Sequence, residues 1–128
     1  MISSNKILIS LGSNKDREQN MDEAVKKLYH LFDYICFSEG YYTQPVPENQ
    51  QEDSYLNRVA VAFTDKEPEE IIAMFKQIEE ELGRTPEDKK TKSIPIDIDL
   101  LKWNEKVLKE EDMQQPYVIQ GFELLPIP

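Results

Sequence analysis

Apolar and polar residues alternate along this chain in patterns that predict four strands and two helices. In the strand segments, apolar, aromatic or β-branched side chains dominate or recur at every second position. In the helical segments, apolar side chains recur at three- and four-residue spacing, so that one face is apolar and the other is charged. The predicted segments are a strand at 6–11, a helix at 17–32, strands at 34–43 and 55–64, a helix at 68–82 and a last strand around 94–100.

This order of elements predicts the fold. Strand, helix, strand, strand, helix, strand is the βαββαβ order of a ferredoxin-like two-layer sandwich, an α+β fold with an antiparallel sheet. The two polar segments between elements, 44–54 and 84–93, are predicted to be surface loops. We expect a single domain over 1–128, with a core at 1–103 and a C-terminal extension at 104–128.

The amino-acid composition limits the partners that we expect for this protein. A net charge of −10 argues against a nucleic-acid partner, because phosphate neutralisation needs a large surface of Lys and Arg. The single Cys36 excludes an intrachain disulfide framework. The sequence shows neither a signal-peptide pattern nor an apolar run of roughly 18 residues, so we expect a cytoplasmic protein without a membrane partner. A phosphate ligand would therefore need a local basic patch or a metal ion.

Two aspartates in the last predicted strand are candidates for metal chemistry. In Ile96-Asp97-Ile98-Asp99 an extended backbone directs both carboxylates to one face and both isoleucines to the other. Same-face positions lie about two rises of ~3.3 Å apart, which two carboxylates can close around one or two hard cations. Polar residues on the outer face are also typical of any half-buried antiparallel strand, so the pair alone leaves both interpretations open.

Five short motifs follow the predicted elements in order. They are Leu11-Gly12-Ser13-Asn14, Tyr42-Thr43-Gln44-Pro45-Val46, Ser54-Tyr55-Leu56-Asn57, Ile78-Glu79 with Leu82-Gly83-Arg84, and Ile96-Asp97-Ile98-Asp99-Leu100-Leu101. With these motifs the chain resembles 6-hydroxymethyl-7,8-dihydropterin pyrophosphokinase of folate biosynthesis, over residues 7–101. The resemblance implies that the β,γ-diphosphate of ATP is transferred to the hydroxymethyl oxygen of the pterin, leaving AMP.

The resemblance also implies the site. Asp97 and Asp99 match the residues that bind two Mg²⁺ ions. Together with Arg84 they are the implied catalytic residues, and ATP is the implied co-substrate. The implied protein is a monomer that acts on two small molecules, the pterin and ATP. The implied pterin-binding residues are Pro45, Val46, Tyr55, Asn57 and Phe122, and the implied nucleotide-side residues are Glu79 and Arg84.

The chain departs from the family pattern on the nucleotide side. Pro86 and Ile94 stand where the family carries basic residues, and Gln115-Pro116-Tyr117 and Gln120 replace a Pro-His segment and a further basic residue. The C-terminus is also shorter than the family's. We predict that three lysines of the 84–93 loop supply ATP-binding charge instead, although lysine lacks the planar fork of arginine. They are Lys89, Lys90 and Lys92.

Three hypotheses follow. The first is an active pyrophosphokinase with a lysine-based ATP loop, in which the 44–54 and 84–93 loops close over the nucleotide. The second is a degenerate relative that binds pterin or nucleotide without turnover. The third is an unrelated ferredoxin-like interaction module, in which Asp97 and Asp99 are ordinary surface residues. Tyr55 and Phe122 also have a simpler interpretation as core aromatics, and Asn57 as a solvent-facing strand residue.

Overall fold

A computed structural model describes residues 5–43 and 54–125 of the chain. In chain order the elements are β1 (Asn5–Ser13), α1 (Arg17–Leu31), β2 (Tyr34–Phe37), β3 (Tyr41–Thr43), β4 (Tyr55–Thr64), α2 (Pro68–Glu81), α3 (Asp88–Thr91), β5 (Asp97–Trp103), β6 (Lys106–Val107), α4 (Glu110–Met113) and α5 (Pro116–Leu124). No helix within the described ranges is long and apolar enough to cross a membrane.

All strand pairs in the sheet are antiparallel. The strand order is β2-β4-β1-β5-β6, and β3 pairs with β4 beside β2. The α+β class with an antiparallel sheet is therefore confirmed. β4 and the start of α2 lie at the predicted positions. The recurrence of Val59, Val61 and Phe63 at every second position and the helix-initiating proline are strong local signals.

The predicted strand at 34–43 is divided into β2 and β3. Between them the side chain of Ser38 enters the ladder: its Oγ accepts from the Val59 N–H at 3.0 Å, and its own N–H donates to the Val59 carbonyl at 2.8 Å. Phe37 pairs with Ala60 and Tyr41 pairs with Asn57. The segment from Phe37 to Tyr41 is therefore one residue longer than the segment of β4 opposite it. That extra residue is a bulge, which a periodicity of two does not reveal.

The main core lies between the sheet and helices α1 and α2. Alternate residues of the central strands point into it, such as Ile9 of β1 and Ile98 of β5, and Phe75 of α2 is almost fully buried against them. Burial of this one apolar sheet face against helices is what the two-layer prediction requires.

The opposite face of the sheet is partly covered by α5, which the sequence analysis did not predict. Val118 of α5 is fully buried with Val59 and Leu101 in a second apolar cluster. Gly121 permits this close approach, since a Cβ there would lie 2.5 Å from Cγ2 of Val59. The C-terminal extension therefore forms part of the domain, and it brings Tyr117 and Phe122 to the face that carries the aspartates.

Candidate active site

Three adjacent strands bring the predicted site residues into one row. Gly12 of β1 pairs with Asn57 of β4 on one side and with Asp97 of β5 on the other. Two residues along the strands, on the same face, Ser10 pairs with Asp99. These positions alternate with the core residues, so Asp97 and Asp99 stand on the face opposite α1 and α2, as the alternation of Ile and Asp predicts.

Arg84 holds the first of these aspartates from the end of α2. Its Nη1 donates to Asp97 Oδ1 at 2.8 Å and to the Ile96 carbonyl at 3.2 Å, and it lies 3.1 Å from Glu79 Oε2. The same Glu79 oxygen accepts from the Ile98 N–H at 2.8 Å. This N–H points to the side of β5 where none of the described strands pairs with it, so the buried carboxylate of Glu79 accepts a hydrogen bond that a neighbouring strand would otherwise provide.

Asp97 is paired with Arg84, whereas Asp99 and Tyr117 have raised pKa values. Burial first, and then the neighbouring charge and hydrogen bond of Asp97, raise the pKa of Asp99 to about 7, while Lys109 opposes the shift. Burial raises the pKa of Tyr117 to about 12, with smaller contributions from Asp112, Asp97 and Asp99. Tyr117 on α5 is therefore close enough to sense both aspartates, a proximity that no sequence spacing predicts.

The two carboxylates fit a magnesium ion whose other ligands come from a substrate and from water. Within the described ranges, no group of three or more His, Cys, Asp or Glu residues could hold a metal ion by protein ligands alone. Mg²⁺ is typically bound through one or two carboxylates together with phosphate oxygens and water. Asp97 and Asp99 supply such a hard-oxygen pair. The raised pKa of Asp99 reflects its burial first and then the negative charge of Asp97, which a bound cation would compensate.

A cleft of about 680 Å³ opens along the free edge of β5. It exists because β6 pairs only with Lys102 and Trp103, and no other strand in the described ranges pairs with this edge of β5 from Asp97 to Leu100. Four lysines line it, and none of them forms an ion pair with the described part of the chain. They are Lys76, Lys89, Lys106 and Lys109.

Only some of the predicted ATP residues line this cleft. Glu79, Arg84 and Lys89 do, whereas Lys90 and Lys92 are not among its lining residues. Lys90 is exposed on the short helix α3, and the Lys92 carbonyl accepts from Asn14. The other three cleft lysines could not be predicted from the sequence, because they come from α2, β6 and the segment after β6, and no local motif joins them.

The pterin-side residues divide between those the structure describes and those it does not. Asn57 lies buried in the row, and its Nδ2 donates to Thr43 Oγ1 at 2.8 Å and to the Tyr41 carbonyl at 3.2 Å. It is therefore not a solvent-facing residue. Phe122 packs on the same face beside the second apolar cluster. Pro45 and Val46 lie outside the described residues, as does most of the predicted 44–54 loop.

Asn14 holds the segment that leads into β5. Its Nδ2 donates to the Lys92 carbonyl at 2.8 Å, its Oδ1 accepts from the Ile94 N–H at 2.6 Å, and its own N–H donates to the Ile94 carbonyl at 3.0 Å. Asn14 is the last residue of the first motif, Leu11-Gly12-Ser13-Asn14. In the structure it fixes the backbone at Lys92 and Ile94, just ahead of β5, the strand that carries Asp97.

Together these features define an antiparallel α+β domain that carries a carboxylate pair between a buried amide and a lysine-lined cleft. A family model described as 7,8-dihydro-6-hydroxymethylpterin-pyrophosphokinase matches residues 8–127. The chain belongs to this family. The match continues past residue 101 through α4 and α5, further than the motifs alone indicated, and it excludes an unrelated interaction module.

Curated relatives agree with this assignment. The chain is 29% identical over 130 residues to folic acid synthesis protein FOL1 of Dictyostelium discoideum, covering 96% of this chain and 19% of that protein. It is 29% identical over 112 residues to the mitochondrial folate synthesis bifunctional protein of Pisum sativum, covering 87% of this chain and 22% of that protein. It is 31% identical over 113 residues to the 2-amino-4-hydroxy-6-hydroxymethyldihydropteridine pyrophosphokinase of Aquifex aeolicus, covering 87% of this chain and 69% of that protein. The chain thus spans about a fifth of the first two relatives.

Proposed function

We propose that this chain transfers the β,γ-diphosphate of ATP to 6-hydroxymethyl-7,8-dihydropterin in folate biosynthesis, with Asp97 and Asp99 as ligands of two Mg²⁺ ions. In this reaction the hydroxymethyl oxygen forms a bond to the β-phosphorus and loses its proton. The bond from that phosphorus to the oxygen bridging it to the α-phosphate breaks, and AMP leaves. Family membership supports the reaction class. The main supporting observation is the position of the two aspartates between Asn57 and the cleft that four lysines line.

The residues around the cleft can bind and orient a polyphosphate. Arg84 uses Nη1 to hold Asp97, while its Nε and Nη2 make no hydrogen bond within the described ranges. These two donors are free for a phosphate oxygen, and a guanidinium can bind two such oxygens side by side. Mg²⁺ at the aspartates would supply charge neutralisation of the transferred group. Lys76, Lys106 and Lys109 line the same cleft and add point charges.

The four lysines of the cleft favour turnover over a degenerate binding protein. Ile94 is 8% exposed and Pro86 is uncharged, so neither replaces the basic residues that the family carries there. The cleft lysines offer positive charge from other elements, because a point charge needs proximity to phosphate and no particular position in the sequence. We also propose a monomeric cytoplasmic protein, as the family resemblance implies; sedimentation velocity tests the first part.

The test is AMP release from ATP with 6-hydroxymethyl-7,8-dihydropterin and Mg²⁺, against reactions that lack the pterin or the metal. Asp97→Asn and Asp99→Asn should each lower the rate at least a hundredfold, a loss of about 2.7 kcal/mol of transition-state stabilisation. Asp22→Asn, on the exposed face of α1, is the matched control and should leave the rate unchanged. Pterin binding by calorimetry without AMP release would instead establish the degenerate relative.

A further inference from the structure

Arg17 lies outside the candidate site, yet its side chain contacts the two strands that carry residues assigned to the pterin side. It is the first residue of α1, where the helix dipole disfavours a positive charge, so the stability of the helix does not explain an arginine there. The side chain is 31% exposed and reaches β3 and the residue before β4. These contacts indicate a role away from the helix.

The guanidinium of Arg17 links β3 and β4 at one end. Its Nη1 donates to the Ser54 carbonyl at 2.8 Å and also contacts the Ser54 hydroxyl, while Cζ lies over the Tyr42 ring, 4.6 Å from its centre. Its Nε donates to Glu18 Oε2 at 2.8 Å, and the same carboxylate oxygen accepts from the Tyr42 hydroxyl at 3.4 Å. The guanidinium thus lies over an aromatic ring and donates several hydrogen bonds at once, a combination that an ammonium group does not reproduce.

Both contacts are one residue away from groups that shape the pterin side of the site. Ser54 directly precedes Tyr55, whose pairing partner in β3 is Thr43. Tyr42 directly precedes Thr43, and Thr43 Oγ1 accepts from Asn57 Nδ2 at 2.8 Å. A displacement of this end of the strand pair would therefore turn the buried amide of Asn57 and move the ring of Tyr55.

We propose that Arg17 is a positioning residue for the pterin substrate. It holds Tyr42 and Ser54 to the start of α1 and so fixes the geometry of the pterin side without touching the substrate itself. Misplacement of a substrate-positioning group by about 1 Å can lower a rate by about a hundredfold. The aspartates and the cleft lysines lie on other elements, so binding of metal and nucleotide should not change. This inference rests on the proposed function, because the pterin is the substrate of that reaction.

Arg17→Gln tests the inference in the AMP-release assay with 6-hydroxymethyl-7,8-dihydropterin, ATP and Mg²⁺. We expect the KM for the pterin to rise at least fivefold, while the KM for ATP changes less than twofold and kcat less than threefold. Arg17→Lys should show a similar rise, because an ammonium group keeps the charge and loses the planar fork. Calorimetry with the pterin as titrant should rank the Kd values of these proteins in the same order.

Arg58→Gln is the matched control. Arg58 Nε donates to the Ser38 carbonyl at 2.9 Å, and Cζ lies 5.9 Å from the centre of the Phe37 ring, so this arginine makes the same two kinds of contact. Arg58 follows Asn57 in β4, so its side chain leaves the strand on the opposite face of the sheet. This variant should lose stability in thermal unfolding and keep the KM for the pterin.

The inference is overturned if either Arg17 variant has a KM for the pterin within twofold of the parent, or if Arg58→Gln raises this KM as much. It is equally overturned if the KM for ATP rises with that for the pterin, or if neither Arg17 variant unfolds cooperatively, since the residue would then serve folding. A parent that binds the pterin in calorimetry and releases no AMP would refute the proposed turnover alone, and the Kd values would then decide the role of Arg17. A parent that binds no pterin would refute both proposals.

Discussion

Replacing Arg84 with Gln should destabilise the protein chiefly through Glu79, and removing the charge of Glu79 as well should restore part of the loss. Arg84 Nη1 lies 3.1 Å from Glu79 Oε2 and 2.8 Å from Asp97 Oδ1. The side chains of Arg84 and Glu79 are 18% and 11% exposed, whereas that of Asp97 is 43% exposed. The two ion pairs are therefore unequal, because water screens the Asp97 pair and not the Glu79 pair.

The magnitudes follow from this difference in burial. An exposed pair is worth about 0–1 kcal/mol, and breaking a buried pair costs about 3–5 kcal/mol because one charge is left uncompensated. For Arg84→Gln, with both partners slightly exposed, we expect a loss of about 2–3 kcal/mol. Burial already raises the pKa of Glu79, against the Ile98 N–H and Arg84, so an unpaired Glu79 carboxylate is the dominant cost.

Urea denaturation of four proteins measures the effect: the parent, Arg84→Gln, Glu79→Gln and the double variant. Glutamine at 79 keeps an oxygen that can accept from the Ile98 N–H, so Glu79→Gln alone should cost about 1 kcal/mol. The double variant should be at least about 1 kcal/mol more stable than the sum of the single losses predicts. Lys27→Gln breaks the ion pair with Glu81 at the end of α2, whose side chains are 36% and 46% exposed, and should cost less than about 0.5 kcal/mol.

Additive losses in the double variant would refute this reasoning, because they would mean that the Glu79 carboxylate gains nothing from Arg84. A loss for Arg84→Gln no larger than that for Lys27→Gln would refute it as well, since burial would then have no effect on the strength of the pair.

Three further predictions concern the charges of the site. In metal-free protein, folding raises the pKa of Asp99 from 3.8 to about 7, so ionisation of this carboxyl destabilises the fold as pH rises through this range. At pH 8, Asp99→Asn should therefore be more stable than the parent by about 1–2 kcal/mol, after allowance for solvent screening. Near pH 4 the two proteins should be equally stable, and thermal unfolding at a series of pH values measures the difference. Replacing Lys106 and Lys109 with Gln should weaken binding of an ATP analogue about tenfold and reduce its salt dependence, whereas Lys26→Gln on α1 should change neither; equal affinities would exclude the two lysines from the nucleotide site. Hydrogen exchange in the 84–93 segment should slow when the analogue and Mg²⁺ bind, and unchanged exchange would contradict closure of this loop.

Local patterns predicted those parts of the fold whose signals lie within one element. The alternation in β4 and the proline at the start of α2 are such signals, and both elements begin where predicted. The division of the second strand depends on the Ser38 hydroxyl, which forms part of the ladder only when Val59 is opposite it. α5 did carry a signal, since Pro116 precedes apolar residues at helical spacing. Its packing against the sheet depends on the absence of a side chain at Gly121.

In the candidate site, too, some positions are fixed by the fold and others are not. The row of Asn57, Gly12 and Asp97 depends on strand register, and a register shift of one residue would turn all three side-chain positions toward the core. The proposed pterin site is therefore tied to strand register, which the motifs of this chain preserve. The lysines of the cleft are under no such constraint, because a flexible ammonium group can reach a phosphate from any neighbouring element. Substitution of the family's basic positions by Pro86 and Ile94 is consequently compatible with a nucleotide site, provided that charge returns from α2 and from the segment around β6, where Lys76, Lys106 and Lys109 line the cleft.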